Sequence, residues 1–419
     1  MQHFTFLNKE LISALTAEHS TPFYIYSQNT IEQQCETILS IPAPFGLTAR
    51  YAIKANPNTA ILKVIENTGF HFDASSEYEV IRCLKAGISA DKIQLTSQEM
   101  SSEHLELIIK EGVRFNACSL EQLRRYATLA PRGSEISIRI NPGLGSGSSR
   151  KTNVGGPSSS FGIWFEQVDE AKQLAADCGL RITRLHSHIG SGADPAVWER
   201  AASLTLAVAR QLPEVVTLNL GGGFKVARHA GEVSTSIEAV GKVVADVLLK
   251  EAQETGREYH LELEPGTFLV ANAGSLICSV DDITTTGDNG YTFLKINAGM
   301  DMLTRPALYA AHHPCIPFTD STNEVEYVIT GHCCESGDLF SVSADDTLEP
   351  RLLPEAQIGD TLIIEGAGAY CASMSLKNYN SFPQVAELIL DNQDKAHTIR
   401  QRESMEQILI NEVLPTYLT

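Results

Sequence analysis

Between residues 49 and 270, short apolar runs recur at intervals. They are Ala49–Ala55, His71–Ser75, Lys92–Ser97, Arg114–Ser119, Glu135–Asn141, Ile182–Gly190, Thr217–Phe224 and Tyr259–Val270. Stretches with helical spacing lie between them, such as Ser76–Gly87, Ser101–Gly112 and Val168–Gly179. Runs of this length read as strands, and strand alternating with helix predicts parallel βα units. Eight such units predict an α/β fold of the (β/α)8, TIM-like barrel type. After about residue 275 the pattern changes. Short β-like runs at Tyr291–Asn297, Glu324–Thr330, Asp360–Glu365, Glu387–Leu390 and His397–Arg400 follow one another with turn residues between. They predict a C-terminal β-domain, and Pro22–Tyr26 reads as a strand able to join it. The expected division is a barrel over 27–275 and a β-sandwich-like domain from 1–26 and 276–419. Gly143–Ser160 is too long for a tight turn and is expected to be an active-site loop or lid.

Composition narrows the function. The chain has 419 residues, 43% of them apolar, which is enough for a large core. Its net charge of −19 argues against nucleic acid as a partner. No apolar run is long enough to span a membrane, and the N-terminus lacks a basic stretch followed by an apolar one. The nine cysteines are scattered, without a CxxC pair. That usage suits free thiols in a reducing compartment, so a cytoplasmic location is expected.

Catalytic groups of such barrels sit at the C-terminal ends of strands, and phosphate sites favour the loops after strands seven and eight. The strand ends here carry Lys54, Asp73, Ser119, Asn141, His188, Gly221-Gly222-Gly223 and Glu264-Pro265-Gly266. An amine such as Lys54 becomes a nucleophile when burial or nearby charge lowers its pKa; the plain alternative is a solvated surface lysine. The triple glycine follows the seventh run, where bare backbone N–H groups can cradle a phosphate, although an isolated triple glycine is also an ordinary tight turn. His186 and His188 share a strand face. A metal site would need a third ligand nearby, which the sequence does not suggest, so no metal is expected. One of the pair, facing the barrel mouth, could stack on a flat cofactor. Glu264 could face a pyridine nitrogen and keep it protonated, or merely cap a turn. Cys334 and Glu335 put a thiol beside acids in the second domain, where the thiol could donate a proton. Tyr370, at a glycine-rich turn, could reach a phosphate.

Together these segments resemble the fold-type III, pyridoxal-phosphate-dependent amino acid decarboxylases, and most closely the diaminopimelate decarboxylases of bacteria. The likeness runs from about residue 20 to the C-terminus. It is carried by Tyr51-Ala52-Ile53-Lys54-Ala55-Asn56, His186–Gly192, Asn219–Phe224, Glu264-Pro265-Gly266, Arg305-Pro306-Ala307-Leu308-Tyr309, Cys334-Glu335-Ser336-Gly337-Asp338, Gly368-Ala369-Tyr370 and Asn378-Tyr379-Asn380-Ser381. Asn141-Pro142-Gly143, Lys151-Thr152-Asn153 and Phe161-Gly162-Ile163-Trp164 resemble a long-loop subgroup.

The resemblance implies an alanine-racemase-like barrel and pyridoxal 5'-phosphate as cofactor, held on Lys54. It implies that His188 stacks on the ring and that Glu264 pairs with its nitrogen. Asp73, Glu79 and Arg139 would support Lys54 and the ring, while Ser191, Gly221, Gly222, Gly223 and Tyr370 would bind the phosphate. It further implies a homodimer with shared sites. Cys334 of one subunit would protonate the product carbon and Glu335 would read the far end of the substrate, an amino acid bound also by Arg305, Tyr309, Thr267 and Tyr370. The default reaction is meso-diaminopimelate to L-lysine. Two positions depart from the family pattern: Thr267 and Phe382 stand where arginines are usual, and there is an extra residue near Leu376-Lys377. Replacing a bidentate carboxylate clamp is not conservative. The departures keep open another decarboxylation substrate, such as a D-diamino acid or a citryl-diamino acid, and, further off, a non-catalytic cofactor-binding homologue.

Overall fold

The computed structural model describes residues 5–145, 155–188, 190 and 192–418. The chain forms two compact units. One comprises Ile31–Ala227 and Gly231–Leu269, the other Met1–Thr30, Arg228–Ala230 and Val270–Thr419. The division therefore falls a few residues inside the expected limits of 27 and 275.

Strand β1 (Phe23–Ser27) precedes the first large unit. That unit contains β2 (Leu47–Ala52), β3 (His71–Ala74), β4 (Ile93–Leu95), β5 (Arg114–Ala117), β6 (Glu135–Asn141), β7 (Ile163–Trp164), β8 (Arg181–Ser187), β9 (Thr217–Asn219) and β10 (His260–Leu263). Eight of these pair in parallel around a closed ring, β2-β3-β4-β5-β6-β8-β9-β10, with β10 returning to β2. β7 adds only to β6, outside the ring. The barrel predicted from the eight runs is thus present. A closed parallel barrel has no free edge, and its strands are buried on both faces, which is why they read as continuous apolar runs.

Local signals fix the crossover helices. Ser101 caps Ser102–Glu111 by accepting the His104 N–H, and Gly112 ends it at φ 76°. Leu105 and Ile108 are that helix's buried face, each burial contributing about 1.5–3 kcal/mol. Inside the unit, buried Glu262 pairs with Arg50 at 2.9 Å and with Arg184.

The second unit contains β1 with β11 (Gly274–Thr285), β12 (Thr292–Ile296), β13 (Cys315–Phe318), β14 (Glu324–Thr330), β15 (Arg351–Pro354), β16 (Thr361–Ile364), β17 (Ala386–Leu390) and β18 (Ala396–Arg400). Its path is β15-β14-β12-β11-β1-β17-β18, with β16 on β11 and β13 on β16. β1 lies antiparallel to β11 and parallel to β17, so the N-terminal strand does join the C-terminal sheet. Phe23, Ile25, Ile277, Ile363 and Leu388 form its core, with Ile12 and Leu15 of helix Lys9–Glu18 packed among them.

Several expected runs change at their ends. Lys54 lies beyond β2, in a 3-10 turn over Ile53–Ala55. The run Tyr259–Val270 is a short strand followed by helix Thr267–Val270, so Thr267 opens a helix. β7, β11, β13 and β15 had no counterpart among the expected runs. β15, for example, is only four residues long and none of it is fully buried.

Candidate active site

Within the barrel unit, the C-terminal ends of the strands carry a connected set of polar side chains. Asp73 lies one residue before the end of β3 and is buried, as is Glu264, just after β10. Gln94 of β4 joins them: its amide donates to Glu264 Oε1 at 3.0 Å and to Asp73 Oδ1 at 3.3 Å. Thr96 donates to Asp73 Oδ1 at 2.8 Å, and Asn219 of β9 donates to Glu264 Oε1 at 2.6 Å. Asn116 of β5 contacts Thr96 at 3.1 Å and His186 Nδ1 at 2.6 Å. His186 Nε2 lies 3.4 Å from Glu264 Oε2. Strand register explains the convergence, because Arg139, His186 and Asn219 sit opposite one another on β6, β8 and β9.

These carboxyls lie deep in a low-dielectric site. Burial, and then the neighbouring Asp73 charge, push Glu264 up to about 8. Burial also raises Asp73 and Glu79, against the opposing charge of Lys54. Lys54 is exposed on its turn and near enough to act on all three. Glu79 accepts the Ser75 N–H at 2.7 Å from the first turn of helix Glu77–Lys85. Arg139 lies over the Phe161 ring, 4.8 Å from its centroid, and among the described residues its buried Nη2 has no hydrogen-bond partner.

The glycine turn follows β9. Gly221 and Gly223 have φ of 69° and 102°, a region that L-residues avoid. A Cβ on Gly221 would stand 2.5 Å from His188 Nδ1, and one on Gly222 would collide with the Glu264 carbonyl oxygen. Only glycine lets this backbone approach. The Gly222 N–H donates to His188 Nδ1 at 3.2 Å, and Asn219 Oδ1 accepts the Gly221 N–H at 2.8 Å. Burial, with Arg139 and Lys54 adding to it, holds His188 well below the usual imidazole range, so its Nδ1 is a neutral acceptor.

The barrel unit therefore brings together Lys54, Asp73, Glu79, Arg139, His188, Gly221, Gly222, Gly223 and Glu264. Ser191, Lys151, Thr152 and Asn153 lie outside the described residues. The remaining candidates belong to the second unit, apart from Thr267. Arg305 donates to His313 Nε2 at 3.3 Å, and its guanidinium lies 5.8 Å from the Tyr309 ring centroid. Tyr370 has a left-handed φ of 56°. Cys334 and Glu335 are exposed. Asn380 Oδ1 accepts the Cys334 N–H at 2.8 Å, and Tyr379 donates to Glu335 at 3.1 Å. Sequence reasoning missed Gln94, Thr96, Asn116 and Asn219. Polar residues near the ends of otherwise apolar runs were the available signal.

Residues 28–271 match the model of the pyridoxal-dependent decarboxylase, pyridoxal binding domain. The chain belongs to this decarboxylase family. It is 33% identical over 415 residues to the diaminopimelate decarboxylase of Streptomyces coelicolor, covering 96% of this chain and 92% of that one. A crystal structure of a diaminopimelate decarboxylase superposes with a TM-score of 0.90 at 32% identity, covering 98% of this chain and 99% of the other. The enzyme from Helicobacter pylori, solved in complex with L-lysine, superposes with a TM-score of 0.85 at 28% identity over 95% and 98% of the two chains. The chain is thus a pyridoxal-phosphate-dependent decarboxylase with a TIM-like barrel and a β-domain.

Its residues fit that cofactor. The glycine turn brings bare backbone beside His188, with the Gly222 N–H directed at its Nδ1, and backbone N–H groups of this kind can hold a phosphate. Glu264 is a carboxyl whose burial outweighs the charges of Arg139 and Lys54, a fit for a protonated ring nitrogen as partner. No helix among the described residues is long and apolar enough to cross a membrane.

Proposed function

We propose that this decarboxylase converts meso-diaminopimelate to L-lysine. The observation that carries the chemistry is the environment of Glu264, a buried carboxyl raised to about 8 within reach of the Lys54 charge. For the substrate, the support is likeness to diaminopimelate decarboxylases along nearly the whole of both chains.

When bound, the cofactor supplies an electron sink for the pair left behind as carbon dioxide departs. The protein residues have the following roles. Lys54 would hold the cofactor covalently through its amine. Asp73, Glu79 and Arg139 would keep Lys54 and the ring in place, and His188 would lie against the ring. Glu264 would keep the ring nitrogen protonated. Gly221, Gly222, Gly223, Ser191 and Tyr370 would take the phosphate. Arg305, Tyr309, Thr267 and Tyr370 bind the substrate. The Cys334 thiol delivers a proton to the carbon that has lost its carboxylate, and Glu335 recognises the distal amino group. Cys334 and Glu335 act in the site of a second subunit, making the enzyme a homodimer. All nine cysteines are free, which supports a reducing, cytoplasmic setting.

A second substrate reading rests on Phe382. Its ring stacks on His332 with centroids 3.7 Å apart and 8° between planes, so a phenyl ring against an imidazole stands where the family pattern places an arginine. A substrate other than diaminopimelate would suit that change. The deciding measurement is carbon dioxide release from meso-diaminopimelate, lysine, ornithine and a citryl-diamino acid. Release from diaminopimelate with lysine as product is expected. Faster release from another member of the panel would move the assignment to that substrate, and no release from any would remove it.

A further inference from the structure

Asp301 and Cys333 have no part in the chemistry above, and His332 enters it only as the ring under Phe382. Asp301 lies in the loop after β12, and His332 and Cys333 follow β14. His332 Nε2 is 2.9 Å from Asp301 Oδ1, and Cys333 Sγ is 3.4 Å from the same oxygen. Consecutive residues on extended backbone point to opposite sides. Here the chain bends through 332–334 and both side chains converge on one carboxylate. The three ligand atoms all lie within 4.8 Å of one another. Asp338 braces the bend by accepting the Cys333 N–H at 2.8 Å and the Met300 N–H at 2.7 Å. Gly299 makes room for the cluster: a Cβ there would stand 2.7 Å from His332 Cδ2 and 2.9 Å from Asp301 Oδ1. The Phe382 ring, flat on His332, fixes the imidazole plane.

We infer that Asp301, His332 and Cys333 form a binding site for a divalent cation of the zinc class, with three protein ligands and a fourth position for water. The donor set decides the class. Oxygen, nitrogen and sulfur together suit zinc or cobalt, whereas calcium and magnesium take oxygen alone. Bonds of about 2.0–2.3 Å place tetrahedral donors roughly 3.3–3.7 Å apart. The observed 2.9 and 3.4 Å need adjustments of only a few tenths of an ångström. Asp338 adds a second carboxylate beside the cation while keeping its backbone donors, as an outer ligand shell does. A pocket lined by Tyr24, Asp301, Asn378 and Phe382 offers an entry path. On binding, the Cys333 thiol proton leaves to solvent, and the imidazole presents Nε2 to the metal with its proton on Nδ1. A thiol–imidazole nucleophile does not fit, because Cys333 is buried and faces the carboxylate rather than the ring. An ion here would stiffen the backbone that carries Cys334 and Glu335. Any effect on turnover rests on the function proposed above; the binding itself does not.

The test uses borohydride-reduced holoenzyme, in which the cofactor stays in place but its visible band no longer masks the cobalt spectrum. Titration with cobalt(II) should show one equivalent bound and a thiolate-to-cobalt charge-transfer band, both abolished by excess zinc. Cys333→Ser should lose the band, and Asp301→Asn and His332→Gln should each weaken cobalt binding by about tenfold or more. Cys334→Ser should keep the band. Absence of stoichiometric cobalt binding overturns the site, as does a band that survives Cys333→Ser or disappears with Cys334→Ser. A failure to decarboxylate any amino acid would leave these spectra unchanged, so the two readings fail separately.

Discussion

At the residue scale, Glu264 sets the pH behaviour of the cofactor-free protein. Its carboxyl lies near 8 when folded, mainly through burial and then through Asp73, against about 4.3 for an exposed glutamate. A group raised on folding favours the folded state fully below its unfolded pKa, and that contribution is lost as pH climbs through the folded value. Stability of the cofactor-free protein should therefore fall between about pH 5 and about pH 8, by at most about 1.4 kcal/mol per pH unit for one proton. Glu264→Gln, which cannot ionise, should flatten that slope, and denaturant midpoints across the range would show it. A slope unchanged in the variant would place the titration elsewhere. In the loaded enzyme the same variant should retain cofactor and slow carbon dioxide release by roughly 100-fold, since Gln cannot keep a ring nitrogen protonated. Full turnover would contradict the role. Glu262 presents a different case. It is a buried ion paired with Arg50 and Arg184, and Glu262→Ala leaves a fully buried Arg50 and a partly buried Arg184 without their partner. A loss of about 3–5 kcal/mol in unfolding free energy is expected, and a change under about 1 kcal/mol would show that water reaches the triad.

At the scale of elements, the turn after β9 couples two strands. Gly221 touches His188 beyond β8, and Gly222 touches the backbone of Glu264 beyond β10. Gly221→Ala must place an L-residue at φ 69° and displace the imidazole, a backbone cost alone of about 1–2 kcal/mol. Affinity for pyridoxal phosphate, followed by absorbance titration, should drop about tenfold or more; unchanged affinity would mean that this turn does not hold the phosphate. The turn itself was legible in the sequence, because glycines in a row after an apolar run end a strand whether or not they hold a phosphate. The barrel was legible for a related reason: fully buried parallel strands cannot alternate, so each stands out as an apolar run. The hydrogen-bonded belt of Gln94, Thr96, Asn116 and Asn219 was not legible, because the register between separate strands creates it. The Asp301–His332–Cys333 cluster was hidden in the same way. His332 and Cys333 adjoin a recognisable motif, but their third partner lies in the loop after β12. The sheet strands of the second unit were only partly legible. β15 has no fully buried residue, and the long β11 continues directly from the turns that end the barrel segment, without a turn signal to separate it.

At the scale of the whole molecule, the proposed reaction needs two chains. Cys334 and Glu335 are exposed on this chain, whereas a proton donor works best where water is kept out. The C-terminal segment adds a second indication. Ile410 is 74% exposed, Val413 84%, Leu414 66% and Tyr417 83%. Exposed apolar side chains so close in sequence are candidates for an association surface, and a second copy covering them would suit the homodimer proposed above. Val413→Asp together with Leu414→Asp should therefore shift the protein toward monomer in sedimentation velocity and lower activity in parallel. Subunit mixing tests the shared site directly. Lys54→Ala chains lack the covalent anchor, and Cys334→Ala chains lack the proton donor, so each homodimer should be inactive. A mixed dimer pairs one intact Lys54 with one intact Cys334 across a single interface. Random exchange of equal amounts makes about half of all dimers mixed, each with one working site of two, so about a quarter of wild-type activity should return. Exchange verified by mass labelling with no recovery would show that each chain completes its own site.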